Sequence, residues 1–217
     1  QVEGARGLDF SICYPRSAFD EQSMMWDLNY FKYYILKTSG IHFDEQGLED
    51  DFRRFASTLM QAGQDYFMYR DFQSRNVMID GGKPWFIDYQ GGRKGPLQYD
   101  LASFLYQVKA FYPEGIREKL IGEYLDELAL LSPVDHENFM EYFYPFVYLR
   151  LFQVLGAYGF RGLFEKRPHF AGSLDPAMSS LSALLDIHPP GPELKALGPV
   201  LHQLTTESRF ALAVKKG

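Results

Sequence analysis

Tyr69-Arg70-Asp71-Phe72-Gln73-Ser74-Arg75-Asn76-Val77-Met78-Ile79 runs through Asp80-Gly81-Gly82-Lys83 into Pro84-Trp85-Phe86-Ile87-Asp88. An Asp and an Asn five apart lead into two short apolar runs joined by an Asp-Gly turn, and a second Asp closes the segment. Runs of this length around Asp-Gly predict a β-hairpin. If Ile79 pairs with Trp85 across a five-residue turn, Met78 faces Phe86, Val77 faces Ile87 and Asn76 faces Asp88, because antiparallel partners keep a constant sum. Partners lie about 4.5–5.5 Å apart at Cα, so an amide oxygen and a carboxylate could share a divalent cation. Asp71 then sits one loop away, at the edge of that site. The five-residue turn is not compelled, and a slip of one residue weakens the pairing. The pattern is a layout for holding metal ions and a hydroxyl near phosphates.

Arg70-Asp71 with Asn76, then Ile87-Asp88, resembles the catalytic and metal-binding core of the aminoglycoside phosphotransferase and choline kinase family, small-molecule relatives of the protein kinases. The resemblance implies ATP and Mg2+ as cofactors. It implies that Asp71, preceded by Arg70 in the catalytic motif, accepts or orients the substrate hydroxyl proton. Asn76 would hold one magnesium, and Asp88 would bridge magnesium to the nucleotide phosphates. Such sites work by positioning and by neutralising phosphate charge, which calls for oxygen ligands more than for a strong nucleophile. Two positions depart from the family: Tyr69 stands where many members have His, and Asp88 is followed by Tyr89-Gln90-Gly91 where protein kinases have Phe-Gly. In the Asp100-Leu101-Ala102 context the family's Asp steadies the catalytic loop. The local pattern reads Asp100 as the N-cap of the next helix.

The chain of 217 residues is 46% hydrophobic and 17% aromatic, ample for a sizeable core. A formal net charge of −6 argues against nucleic-acid binding, which needs basic patches. Arg93-Lys94 follows Asp88 closely enough to touch a nucleotide or an anionic substrate; a solvated loop is the equal alternative. One cysteine, Cys13, allows no intramolecular disulfide, which suits a cytoplasmic location. The five histidines lack ligand spacing, which argues against zinc. No apolar run is long enough to span a bilayer, and the amino terminus has no signal-peptide pattern.

Residues 1–18 read as loop, with an extended piece at Phe10–Cys13. Helical spacing of Met24, Met25, Leu28, Phe31, Tyr34 and Ile35 predicts a helix over 19–38, ended by Ser39-Gly40. Asp44 is placed to cap a second helix through about Gln61, with Leu48, Phe52, Phe55 and Leu59 on one face. Tyr66 to Tyr69 forms a short strand, and 90–96 a flexible loop. Further helices are expected over 114–131, over 135–160 with a kink or split at Pro145, over 175–186 and over 193–204. The proline run at 189–192 breaks the chain, and 205–217 reads as a frayed tail.

Arg150-Leu151-Phe152-Gln153-Val154-Leu155-Gly156-Ala157-Tyr158-Gly159-Phe160-Arg161 is similar to a segment of the members that phosphorylate N-acetylated amino sugars. It lies where the family builds its acceptor pocket. Arg150 and Arg161 would contact acceptor or phosphate on that reading, or pair with carboxylates on a purely structural one. Only 68 residues precede Tyr69, with no Gly-rich strand-turn-strand and no strand-borne Lys. Gly81-Gly82-Lys83 is not a P-loop, since Val77 and Pro84 stand where Gly and Ser or Thr are required. The expected fold is mainly α with one small β-hairpin (α+β), the carboxy-terminal lobe of a protein-kinase-like fold over residues 1–204. It places the catalytic loop and metal hairpin at 66–92 and the acceptor-side helices at 99–188. Gln1 in place of Met adds to the expectation of a chain trimmed or cut from something longer. The function expected for the intact protein is ATP-dependent phosphoryl transfer to a hydroxyl of a small molecule, such as an amino sugar. The competing expectation is an inactive fragment or non-catalytic binding module that keeps the motif. Partners expected are a nucleotide and a hydroxylated substrate, with no nucleic acid or membrane; the missing amino-terminal lobe, or a second copy, would cover an apolar face.

Overall fold

The computed structural model describes residues 1–110, 112–191, 193–208 and 210. In chain order these form α1 (Val2–Gly7), α2 (Glu21–Phe31), a π-helical turn (Lys32–Leu36) running into α3 (Lys37–Ser39), and α4 (Glu45–Leu59). The strands follow: β1 (Tyr66–Met68), β2 (Val77–Asp80), β3 (Lys83–Phe86) and β4 (Arg93–Gly95). The rest is helical: α5 (Leu97–Leu105), α6 (Glu114–Leu131), α7 (His136–Tyr158) with a π-helical turn (Gly159–Phe164), α8 (Pro168–Ala171), α9 (Leu174–Ile187) and α10 (Leu197–Thr206). The architecture is α+β, mainly helical with two small antiparallel sheets.

The chain folds as two compact units, one of residues 1–20 and 60–147, the other of 21–59 and 148–217. In the first, Phe19, Met68, Tyr99, Leu105, Phe143 and Phe146 are buried, and the Phe19 and Tyr99 rings lie 4.8 Å apart. The second buries Leu28, Phe31, Phe52, Phe152, Leu155 and Leu201, with Phe31 stacked on Phe152 at 4.6 Å. Leu48, Phe52, Phe55 and Leu59 all point inward from α4, as their spacing predicts. Asp44 caps that helix through the Gln46 amide at 3.1 Å, and Gly40 closes α3 at φ 85.

Several expectations need correction. Residues 2–7 are helical and 10–12 a 3₁₀ turn, where loop and an extended piece are expected. The segment 90–96 is not a free loop: Arg93–Gly95 pairs with Tyr66–Met68, partners that local sequence cannot announce. There are therefore two small sheets rather than one hairpin. Helix α7 runs on through Pro145 without splitting. The last helix starts at Leu197 rather than near 193, because Asp51 of α4 accepts the Ala196 and Leu197 amides at 2.7 and 2.9 Å and caps it from a distance. Residues 209 and 211–217 of the predicted tail, and Pro192 of the proline run, lie outside the described residues.

The hairpin itself forms, one residue out of the expected register. Val77 pairs with Phe86, Met78 with Trp85, Ile79 with Pro84 and Asp80 with Lys83. The cause is the pair Gly81 and Gly82, at φ 56 and 76. A two-residue hairpin turn of the twist-matched kind needs positive φ at both central positions, and two glycines adopt it without a Cβ clash. The tight turn therefore displaces the five-residue one, and Pro84 enters the strand, tolerable because a two-stranded ribbon is all edge.

Candidate active site

Asp71, Asn76, Asp88 and Asp100 all belong to the first unit. Residues 74–76 form a 3₁₀ turn that hands Asn76 directly to β2. Phe72 anchors the loop ahead of it, stacking on Phe104 of α5 at 5.2 Å and meeting Phe86 and Tyr69 at 5.8 Å each. Gln107 holds the turn from the other side: its Oε1 accepts the Ser74 amide at 2.9 Å and hydroxyl at 2.8 Å, and its Nε2 donates to Phe104 O at 2.7 Å.

Asn76 is buried, and its Nδ2 donates to the Asp71 carbonyl at 2.9 Å and towards Asp88 Oδ2 at 3.4 Å. Asn76 and Asp88 thus meet although the register differs from the expected one. In the observed register Ile87 faces Asn76, its amide donating to Asn76 O at 3.0 Å. A strictly pleated continuation would send Asp88 to the other face. Asp88 instead adopts φ 67, in the left-handed region, and its carboxylate turns back towards Asn76. Gln90 steadies it, Nε2 donating to Asp88 Oδ1 at 2.8 Å.

Arg70 is also left-handed, at φ 74, and its guanidinium lies 5.8 Å from the Phe19 ring. A non-glycine residue held there stores roughly 1–3 kcal/mol, so something must fix it. Asp100 does: its carboxylate accepts the Tyr69 amide at 2.7 Å, the Arg70 amide at 2.8 Å and Gln1 Nε2 at 3.1 Å. The expected N-cap role is overturned, since Pro96 occupies that position and Asp100 lies inside α5. The Tyr69 hydroxyl donates to the Ile87 carbonyl and so ties the loop to the Asp88 strand. Burial raises the Tyr69 hydroxyl pKa, with smaller pushes from Asp88, Asp100 and Asp71, so the donor proton is kept through neutral pH.

An amide oxygen beside a carboxylate is a hard-oxygen donor set that suits magnesium, which takes one or two carboxylates and completes its shell with phosphate and water. With Nδ2 engaged, Oδ1 of Asn76 is the acceptor left for a cation. Among the described residues no three His, Cys, Asp or Glu side chains gather into a group that could hold a metal ion.

A model of the phosphotransferase enzyme family (APH) matches residues 41–141, the span that contains the loop, the hairpin and Asp100. The chain resembles this phosphotransferase family. Two curated relatives, both named N-acetylmuramate/N-acetylglucosamine kinase, are also similar to this chain. One, from Neisseria meningitidis serogroup B, is 26% identical over 131 residues, 58% of this chain and 38% of the relative. The other, from Pseudomonas aeruginosa, is 22% identical over 194 residues, 86% of this chain and 56% of the relative. The chain thus spans about two fifths and just over half of their lengths.

The remaining predicted residues of this phosphotransferase-like chain are placed elsewhere. Arg93 is buried in β4, its Nε donating to Gly91 O at 3.0 Å, and Lys94 pairs with Asp65 at 2.6 Å. Both lie in a strand rather than a loop, and Lys94 keeps a partly exposed side chain. Arg150 and Arg161 belong to the second unit. Arg150 is buried and donates to Gln153 Oε1 at 2.8 Å, whereas Arg161 is exposed and lies 5.1 Å from the Phe170 ring. Sequence reasoning missed Gln90 and Gln107. Gln90 had a local signal, two residues past Asp88 in a turn; Gln107 had none, because its partner is 33 residues away. No helix among the described residues is long and apolar enough to cross a membrane.

Proposed function

We propose that the intact protein transfers a phosphoryl group from ATP to a hydroxyl of a small molecule, an amino sugar of the N-acetylated class. The observation that carries the reading is the meeting of Asn76 and Asp88 beside a loop whose Asp71 is fixed by its own backbone. The names of the two relatives support the acceptor class.

In this reading Asp71 takes the proton of the acceptor hydroxyl, or orients it, as the bond from that oxygen to the γ-phosphorus forms and the bond from the γ-phosphorus to the departing ADP breaks. Asn76 Oδ1 and the Asp88 carboxylate are the residues that would hold magnesium, which when bound neutralises charge on the phosphate oxygens. The chain's own task is positioning. Asp100, Tyr69 and Gln107 hold the loop so that little reorganisation accompanies reaction. Of the two arginines expected near the acceptor, Arg161 is exposed and Arg150 is buried.

A second reading, a segment inactive until further sequence packs against it, is favoured by the exposed hairpin. Ile79, Trp85, Phe86 and Ile87 are exposed large apolar side chains spread over both faces of the hairpin, surface that further sequence could cover. The kinase-like amino-terminal lobe is the proposed occupant. The test compares this chain with the full-length natural protein in a coupled ADP-release assay with N-acetylglucosamine and N-acetylmuramate. Turnover by the full-length protein, reduced about 10²–10⁴-fold in Asp71→Asn with the fold intact, is expected. Undiminished turnover in Asp71→Asn rejects the base assignment. Asp88→Ala is expected to abolish magnesium-dependent nucleotide binding, and unchanged binding rejects the metal role.

A further inference from the structure

Beside the loop, within the first unit, lies a cavity of about 510 Å³. We propose that it is a second binding site, for a flat, uncharged, largely apolar small molecule, and that its occupancy is felt by the catalytic loop. None of Asp71, Asn76 or Asp88 lines it, so it is separate from the candidate phosphate site.

Its walls are Phe67 of β1, Phe72, Phe86, Tyr89 and Leu101 of α5. Aromatic rings in the walls favour a planar guest. The volume falls in the range of ordinary ligand pockets, roughly 300–1,000 Å³, and an apolar cavity of only about 150 Å³ already admits benzene. The side chains of Gln1, Tyr69, Asp100 and Tyr124 at its edge are already hydrogen-bonded. Asp100 accepts the Tyr69 and Arg70 amides and Gln1 Nε2, the Tyr124 hydroxyl donates to Gln1 Oε1 at 2.6 Å, and the Tyr69 hydroxyl donates to Ile87 O. An anionic guest would face the Asp100 carboxylate. A neutral guest loses little by leaving water.

The coupling follows from two shared residues. Tyr69 and Asp100 line the cavity, and the same two carry the bonds that hold Arg70 left-handed and join the loop to Ile87. A guest packed on Tyr69 excludes water from the Asp100 carboxylate and strengthens its bonds to the loop amides. Opening of the loop then becomes rarer when the site is filled. Occupancy of the cavity does not depend on phosphoryl transfer and is tested by binding alone.

The probe is indole, titrated into the protein by ligand-observed and amide NMR, with indole-3-acetate as the charged comparison. Saturable one-to-one binding of indole is expected, about tenfold or more tighter than indole-3-acetate. Leu101→Trp should fill the cavity and weaken indole binding at least about tenfold. Leu101→Phe, a smaller change, tests the same point if the Trp variant does not fold. Exchange of the Tyr69 and Arg70 amides should slow several-fold on saturation, while amides of α9 stay unchanged. No saturable binding by folded wild-type protein overturns the site, as does binding unaffected by Leu101→Phe. Binding with unchanged Tyr69 and Arg70 exchange overturns the coupling.

Discussion

Replacing Asp100 should show how the loop is held. Asp100 is buried and its carboxylate accepts two backbone amides, those of Tyr69 and Arg70, besides Gln1 Nε2. A hydrogen bond to a charged group contributes about 1.5–3 kcal/mol, and a buried amide left without a partner costs about 1–3 kcal/mol. Asp100→Ala removes both amide bonds at once, so two such losses give about 3–5 kcal/mol. Relaxation sets the upper end, because Arg70, released from φ 74, gives back part of its roughly 1–3 kcal/mol of backbone strain. Asp100→Asn keeps the shape and one acceptor oxygen but turns an NH₂ towards the second amide, so about half of that loss is expected. Urea unfolding measures the stability change through the midpoint at constant slope, and amide hydrogen exchange places it. Exchange should quicken at Tyr69 and Arg70 in both variants. If Asp100 were instead the cap of α5, the first-turn amides of that helix would quicken and the loop amides would not. A loss below about 1 kcal/mol in Asp100→Ala, or unchanged loop exchange, refutes the reasoning.

Two further outcomes follow from packing and burial. Gly156→Ala should destabilise by about 1–3 kcal/mol, because its Cβ would stand 2.8 Å from Tyr30 C and 2.9 Å from Phe31 N, backbone atoms that cannot swing aside; Gly122→Ala in α6, where nothing lies within 4 Å, should instead stabilise by about 0.5–1 kcal/mol. Thermal or urea unfolding of the pair checks the opposite signs. Tyr106, Tyr124 and Tyr148 have hydroxyl pKa values raised chiefly by burial, so the folded protein keeps protons that the unfolded chain sheds near pH 10. Stability is therefore full below about pH 10 and falls as pH rises from there towards the folded values. The urea midpoint should drop between pH 9 and 11 as tyrosinate absorbance grows, and an unchanged midpoint refutes this.

What was legible in the sequence was local. The helices at 45–59 and 114–131 and the hairpin follow from caps and apolar spacing that act within a few residues. What was not legible depends on partners far along the chain. The pairing of β4 with β1 is invisible in Gly91-Gly92-Arg93-Lys94-Gly95, where glycines signal a loop; Gly95 is in fact required by contact, since a Cβ there would stand 2.9 Å from Met68 Cβ. Asp51 capping α10, and Asp100 capping nothing, are the same lesson for side chains: type and neighbours suggest a cap, but the fold decides which amide is within reach.

Asn76 and Asp88 meet although the hairpin takes a register other than the one its sequence suggests. The expected pairing put Asn76 opposite Asp88; the real one puts Asn76 opposite Ile87. The two side chains still meet because they are held by a closed circuit. The Tyr69 hydroxyl binds Ile87 O, the Ile87 amide binds Asn76 O, the Asn76 side chain binds Asp71 O, and the chain itself returns from Asp71 to Tyr69. Within such a circuit each bond limits the play of the next. Positions 69, 71, 76 and 87 are thereby fixed before any ligand arrives, and Asp88 needs only one left-handed residue to face inward. The departure at Tyr69 from the family's His fits the same logic, because what the circuit needs there is a donor long enough to reach Ile87 O, and a phenol supplies one.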